Sequence, residues 1–205
     1  MNLLDTDALL SFHDACVADR QWAKHGAPRF ELASAGLWHF IELNHRYNNL
    51  LWDEEDLARR RDVADAEIAA NKRAIDGYNQ KRNDAIERID EVLLSALQGA
   101  PRQPGSELNS ETAGSMVDRL SILALKIFHM GLQAARTEAG PEHVARCTEK
   151  LARLREQRAD LAGCLRDLLA ACQAGTRHYK IYRQFKMYND ATLNPWLYGA
   201  ASAKG

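Results

Sequence analysis

Two stretches of this chain carry charged and amide side chains at helical spacing. In the first, Lys72, Asp76, Asn79, Asn83, Glu87 and Asp90 recur every three or four residues, which puts them on one side of a helix. In the second, Asn109 to Met130 (NSETAGSMVDRLSILALKIFHM), the residues Met116, Leu120, Leu123, Ile127 and Met130 form an apolar face. Ser115, Asp118, Arg119, Lys126 and His129 fill the stripe beside it. Burying such groups is costly unless they are paired and hydrogen-bonded. Two arrangements meet that demand: the stripes are solvated or tied into register-fixing salt bridges, or they face one another across a polar pocket inside a helical bundle. In the pocket arrangement Lys72, Arg82, Arg119 and Lys126 would meet an anionic ligand, and Asp76, Asp118 or Glu87 would serve as acid, base or metal ligand. The expected ligand-binding residues are Lys72, Asn79, Asn83, Arg119 and Lys126. Asp118 and Asp76 are the candidate catalytic carboxylates, orienting a hydroxyl or acting as base. On this reading Asp118→Asn leaves the fold intact and abolishes binding.

A second constellation is Glu42-Leu43-Asn44-His45, which sets a carboxylate and an imidazole on one helical face. Di-iron carboxylate bundles use two such E-x-x-H motifs and two further glutamates. Only one is found here, because neither His129 nor His143 has a Glu three residues earlier. A single-metal site would draw on His45, Asp56 and His129, but no spacing demands one, and His45 reads better as a packed, hydrogen-bonded histidine. No metal or other cofactor is assigned. The segment 176–205 interleaves Tyr179, Tyr182, Phe185, Tyr188, Trp196 and Tyr198 with Lys180, Arg183 and Lys186. Such a run can stack bases, but the favoured role is to anchor the last segment across the bundle. Recognition of a partner protein or a phosphorylated ligand comes second. The glycine-rich phosphate loops G-x-x-x-x-G-K-[ST] and G-x-G-x-x-G and the G-x-S-x-G nucleophile elbow are absent.

The elements that must position these residues follow from periodicity and breakers. Helices are expected from about Asp5 to Lys24, from Phe30 or Glu31 to about Arg60, from Asp65 to Gln98, from Asn109 to about Ala139, and from Pro141 to about Gln173. A loop near 99–110 (with APRQPGSELNS at 100–110) is the clearest linker. Strand-like alternation is scarce. The fold class is therefore all-α: an antiparallel helical bundle of about five long helices plus a short C-terminal segment, in one domain over 1–205. With 46% apolar residues, the chain can build a sizeable core. Its net charge of −1, from 27 basic and 28 acidic residues, supplies no field to recruit nucleic acid. Cys16, Cys147, Cys164 and Cys172 form no C-x-x-C pair and read as reduced thiols. No signal peptide is expected at the start of the chain, and no apolar run approaches the ~20 residues of a membrane span. A cytoplasmic location is expected.

LWDEEDLARR, DAEIAANKRAIDGYNQKRNDAIERID, ETAGSMVDRLSILALKIFHM and YRQFKMYNDATLNP together resemble the bacterial domain-of-unknown-function family 4254. The resemblance runs from about Leu37 to Tyr198, and D-R-L-S-I-L-A-L-K is its most specific piece. It implies an all-helical protein whose gene often lies beside glycosyltransferases for lipopolysaccharide or other surface polysaccharides. No catalytic residues come with it, and the histidine expected directly after the tryptophan is replaced by Asp53. A weaker similarity links KRAIDGYNQKRNDAIERID to the long first helix of the all-helical chorismate mutases, which hold a dicarboxylate with Arg and Lys inside a bundle.

The expectation is a cytoplasmic protein of surface-glycan biosynthesis with a polar intrabundle site for a sugar phosphate or nucleotide sugar. The alternative from another class is a non-catalytic adaptor that docks a glycosyltransferase. A chorismate-mutase-like or metal-dependent helical enzyme ranks below both. The long helices are compatible with a homodimer.

Overall fold

The first helix begins where the Asp5 carboxylate accepts from the backbone N–H groups of Asp7 and Ala8, at 2.9 and 3.1 Å. In this computed structural model, which describes residues 3–183, 187 and 190–196, that helix is α1, Thr6–Ala18. It stops short of the expected Lys24. A turn at residues 19–21 separates it from the one-turn helix α2, Trp22–His25, because Trp22 must swing into the core, where it is 2% exposed. The next expected helix is also divided, into α3, Leu32–Ala35, and α4, Leu37–Leu57, with the chain turning at Gly36.

The long helices then follow. α5 spans Asp65–Ala96 without a side-chain cap, Asp65 being its first residue and Ala64 the cap position. α6 spans Ala113–Ala134 and is capped by Thr112, whose hydroxyl accepts from Ser115 N at 3.1 Å. The expected start at Asn109 falls short of the helix, because Asn109 lies just past a short strand. A 3-10 turn, Thr137–Ala139, follows α6, and Pro141 opens α7, Pro141–Gln173, at the position where proline's missing N–H costs nothing.

Among the described residues the fold is all-α apart from one short pairing. Within the expected loop, β1 (Glu107–Leu108) pairs in parallel with β2 (Arg177–His178), which follows α7. Gln103 N also donates to Gly175 O at 3.1 Å, so the loop is pinned to the end of α7. Gly175 has φ +75° and lies so close to the Pro101 carbonyl that any Cβ would collide with it. Two-residue strands carry no periodicity for a sequence reading to detect.

α4 packs along α5, α6 packs along α7, and α1 lies against α6 and α7. Leu9, Trp22, Ile41, Ile89, Leu120 and Leu165 are essentially inaccessible and define the core between them. Each such side chain contributes about 1.5–3 kcal/mol by leaving water. Arg46 fastens α2 to α4: Nη1 donates to the Trp22 and Ala23 carbonyls at 2.9 and 3.0 Å, and its guanidinium lies 4.5 Å over the Trp22 ring. Among the described residues, no helix is long and apolar enough to cross a membrane.

The α5–α6 contact is closest at Gly114. Its N–H donates to Asp90 Oδ1 at 2.7 Å, and a Cβ there would sit 2.6 Å from the Ile86 carbonyl and 2.9 Å from the Asp90 carboxyl. Backbone is one of the obstacles, so the helices would have to separate. Gly114→Ala is expected to cost about 1–3 kcal/mol in urea unfolding, in the range of overpacking substitutions. An unchanged midpoint would contradict the close approach.

Candidate functional site

Polar residues placed on the apolar face of α4 create the most unusual feature of the interior. Asn44 and Asn48 are one turn apart and both point at α6. Their Nδ2 groups each donate to Asp118 Oδ1 at 2.8 Å. Asn48 Nδ2 also donates to Ser121 Oγ at 2.9 Å. His45 continues the chain: Nδ1 lies 2.7 Å from Ser121 Oγ, and Nε2 lies 3.2 Å from the carbonyl of His13. A carbonyl can only accept, so Nε2 carries the proton and Nδ1 accepts from the serine hydroxyl. Burial keeps His45 neutral, driving its pKa down to about 3, and drives His13 well below its usual value, with His45 adding to the effect.

This Ser–His pair has the connectivity of an activated nucleophile, but both side chains are fully buried. It therefore works as a structural relay joining α1, α4 and α6. The outward end of the network is different. The Asp118 side chain keeps 12% of its surface, and Arg82 of α5, at 26%, brings Nε to 4.0 Å from Asp118 Oδ1. That is ion-pair range but too long for a hydrogen bond, and Arg82 Nε is buried without a partner.

Arg82 and Asn48 form the inner end of an open cleft of about 310 Å3 between α4, α5 and α6. Leu51, Ile122 and Leu125 give it an apolar floor, and Trp52, Glu55, Asp56 and Arg59 stand around it. Trp52 is held by a parallel stack on His129, 4.4 Å between centroids with 13° between planes. Burial lowers the His129 pKa, and Asp56 opposes the shift. Arg59 is paired with Glu55 at 2.8 Å. The cleft is thus a partly apolar slot with two carboxylates, two guanidiniums and a connection to the buried network.

The two polar stripes read from the sequence do not converge on one pocket. Asp118 points inward, but Lys72, Asp76 and Lys126 are exposed. Arg119, the next residue along α6, is turned about 100° away. It is exposed, and its Nη1 donates to both Glu111 carboxylate oxygens at 2.8 Å. It lines a separate groove of about 510 Å3 against α7. Asn79 and Asn83 are half-buried on α5, and neither lines the cleft. The chorismate-mutase-like arrangement would need its cations inside the bundle, and Lys72 is in solvent.

His45, Asp56 and His129 do not assemble either. Both His45 nitrogens are engaged in the network, and among the described residues no three His, Cys, Asp or Glu side chains gather closely enough to hold a metal ion. The Glu42 of the E-x-x-H motif clamps the loop before α4, accepting from Arg29 N and Phe30 N at 2.9 and 2.8 Å. Cys16, Cys147, Cys164 and Cys172 are free thiols, and burial pushes that of Cys16 up to about 12. In the C-terminal segment Tyr179 is buried and Arg183 pairs with Glu91 at 3.0 Å, whereas Tyr182 and Trp196 are exposed. Phe185, Lys186, Tyr188 and Tyr198 lie outside the described residues.

The cleft residues Asn48, Trp52, Glu55 and Arg82 were not selected from the sequence as a group. The available signal was the interruption of the α4 apolar face by amides at i and i+4.

The model of the family described as protein of unknown function (DUF4254) matches residues 38–181, from the second residue of α4 to just beyond β2. The chain belongs to this family. No curated protein and no solved structure matches it. The DUF4254 span carries the α4–α6 part of the network and the whole cleft, while His13 and the rest of α1 lie outside it.

Two outcomes follow from the network. Asp118→Ala strands the buried Asn44 amide, leaves the Asn48 amide to Ser121 and removes the counter-charge of Arg82, and is expected to cost about 3 kcal/mol in urea unfolding. Combined with Asn48→Ala, it should cost less than the sum of the two. The buried histidines set the acid response: their folded pKa values lie below the ordinary 6.5, so their contribution is complete above that pH and lost as pH falls towards the folded values. Urea midpoints should therefore fall between pH 7 and 5, and His13→Phe should flatten that decline. A wild-type midpoint independent of pH over this window would contradict the neutral, buried assignment.

Proposed function

We propose that this protein acts in cytoplasmic surface-glycan biosynthesis of the lipopolysaccharide type and binds a sugar phosphate or nucleotide sugar in the α4–α5–α6 cleft. The observation that carries the reading is Arg82. Its side chain is largely withdrawn from water, its Nε has no hydrogen-bond partner, and it stands beside the Asp118 carboxylate at the inner end of an open slot. A guanidinium in that position is pre-set to donate to a phosphate or sugar oxygen. Glu55 and Asp56 can accept from ligand hydroxyls, and Trp52, fixed by its stack on His129, offers an apolar wall to the carbon face of a sugar ring. Counting Asp118 beside Arg82, three carboxylates stand against two guanidiniums around the cleft, so no net positive charge draws in a bare anion. Recognition then depends on directed bonds to a ligand carrying both hydroxyls and a phosphate. Asp118 acts in this scheme by orienting Arg82 and Asn48. The link to glycan biosynthesis itself comes from the gene context implied by the family resemblance.

A thermal-shift series tests the reading. A sugar phosphate or nucleotide sugar at about a hundred times its Kd should add roughly 2.7 kcal/mol, moving the melting temperature of a chain this size by several degrees. Arg82→Ala should still melt cooperatively and lose that shift. A shift retained in Arg82→Ala, or none with any such ligand, would contradict it.

The adaptor reading is favoured by a different observation. Lys72, Asp76 and Lys126 are in solvent, and Tyr182 and Trp196 are 72% and 88% exposed. An adaptor would co-purify with a glycosyltransferase and lose it on Trp196→Ala.

A further inference from the structure

A second groove, of about 430 Å3, runs along the seam where α1, α6 and α7 meet. Val17 and Ala124 form its buried base, and Leu10, Ile127 and Phe128 leave apolar surface half-exposed along its walls. Basic groups stand on its α7 side. Arg158 is only 8% exposed: Nη1 donates to both Asp14 carboxylate oxygens at 2.8 and 2.9 Å, Nη2 donates to the Leu10 carbonyl at 2.9 Å, and Nε is buried without a partner. Arg155, one turn earlier on the same helix, is exposed and has no ion-pair partner among the described residues. Asp14 neutralises one of the two guanidiniums, leaving a single uncompensated cation beside an apolar trough.

We propose that the α1–α6–α7 groove binds a single-chain anionic amphiphile, its hydrocarbon chain lying along Leu10, Ile127 and Phe128 and its acidic head group meeting Arg155. The size of the groove favours a small molecule over a protein. The volume falls in the lower part of the roughly 300–1,000 Å3 typical of ligand pockets, enough to hold one hydrocarbon chain. The charge pattern favours one anionic head, since among the described residues lining the groove Arg155 is the cation without an ion pair. An uncharged alkane-like ligand would leave that cation unused, and free phosphate would leave the trough unfilled. This site is separate from the cleft bearing Arg82 and stands or falls without it.

The test is a calorimetric titration of the full chain with dodecyl phosphate below its micellar concentration, alongside inorganic phosphate and dodecanol. The expected result is saturable binding of one dodecyl phosphate per chain, with inorganic phosphate giving no measurable heat and dodecanol binding about tenfold more weakly, as loss of one charge-assisted contact predicts. Arg155→Ala, which removes an exposed and unpaired side chain, should weaken dodecyl phosphate about tenfold and leave dodecanol unchanged. Ala159→Phe, at an exposed α7 position on the groove, should abolish binding of both while leaving the melting temperature unchanged, and Arg82→Ala should have no effect. Many dodecyl phosphates bound per chain, inorganic phosphate bound as tightly as dodecyl phosphate, or affinity unmoved by both Arg155→Ala and Ala159→Phe would each overturn the proposal.

Discussion

A carboxylate cannot be placed among packed helices unless something donates to it, and Asp118 makes that constraint the centre of this bundle. Its partners, Asn44 and Asn48, are one turn apart on a neighbouring helix, so they satisfy the acceptor together only in one axial register of α4 on α6. Sliding or rotating either helix would leave buried amides and a buried charge unpaired, at a cost comparable with much of the stability of a whole domain. The hydrogen bonds through Ser121 and His45 to the His13 carbonyl carry the same register out to α1. The apolar residues around the network supply most of the driving force for association. The polar ones decide which of many apolar contacts is adopted.

The same device recurs at smaller scale where chain segments join. Glu42 gathers the N–H groups of Arg29 and Phe30 and so fixes the approach to α4. Asp90 receives the Gly114 N–H at the start of α6, and burial raises its pKa to about 6 despite that bond. Arg158 holds α7 to α1 through Asp14 and the Leu10 carbonyl. Each case sets one charged side chain of a long helix against backbone or carboxylate groups of a neighbour. The cleft beside Arg82 is where this pattern is left incomplete: its Nε reaches towards Asp118 without closing a hydrogen bond.

Periodicity made the long helices legible, because Leu93, Leu120, Leu165 and their neighbours repeat at helical spacing, and Gly140-Pro141 marked the junction between the last two. Turns set by tertiary contact were not legible. The break after α1 exists because Trp22 has to enter the core, and the two-residue strands form because the linker meets the end of α7. The site was legible in one respect: Asp118 stood out as a carboxylate beside an apolar face. Its neighbours on the chain misled. Arg119, one residue on, points elsewhere and pairs with Glu111, and the Lys72–Asp76 stripe belongs to a part of α5 whose outer side faces water. Spacing along one helix says which residues share a side; it does not say whether another helix covers that side. Asn44 and Asn48 were the informative residues, since two amides on an otherwise apolar face require a buried partner.

The central claim is that the end of this network, at Arg82 and Asn48, is where a sugar phosphate or nucleotide sugar is held. The most direct measurement is nitrogen-15 NMR of the side chains, following Arg82 Nε and the Asn44 and Asn48 amide groups while such a ligand is added. The account predicts saturable shifts at Arg82 Nε and Asn48 Nδ2, with smaller ones at Asn44 deeper in the network. Saturable shifts elsewhere with Arg82 and Asn48 unmoved, or no saturable shift at all, would contradict it.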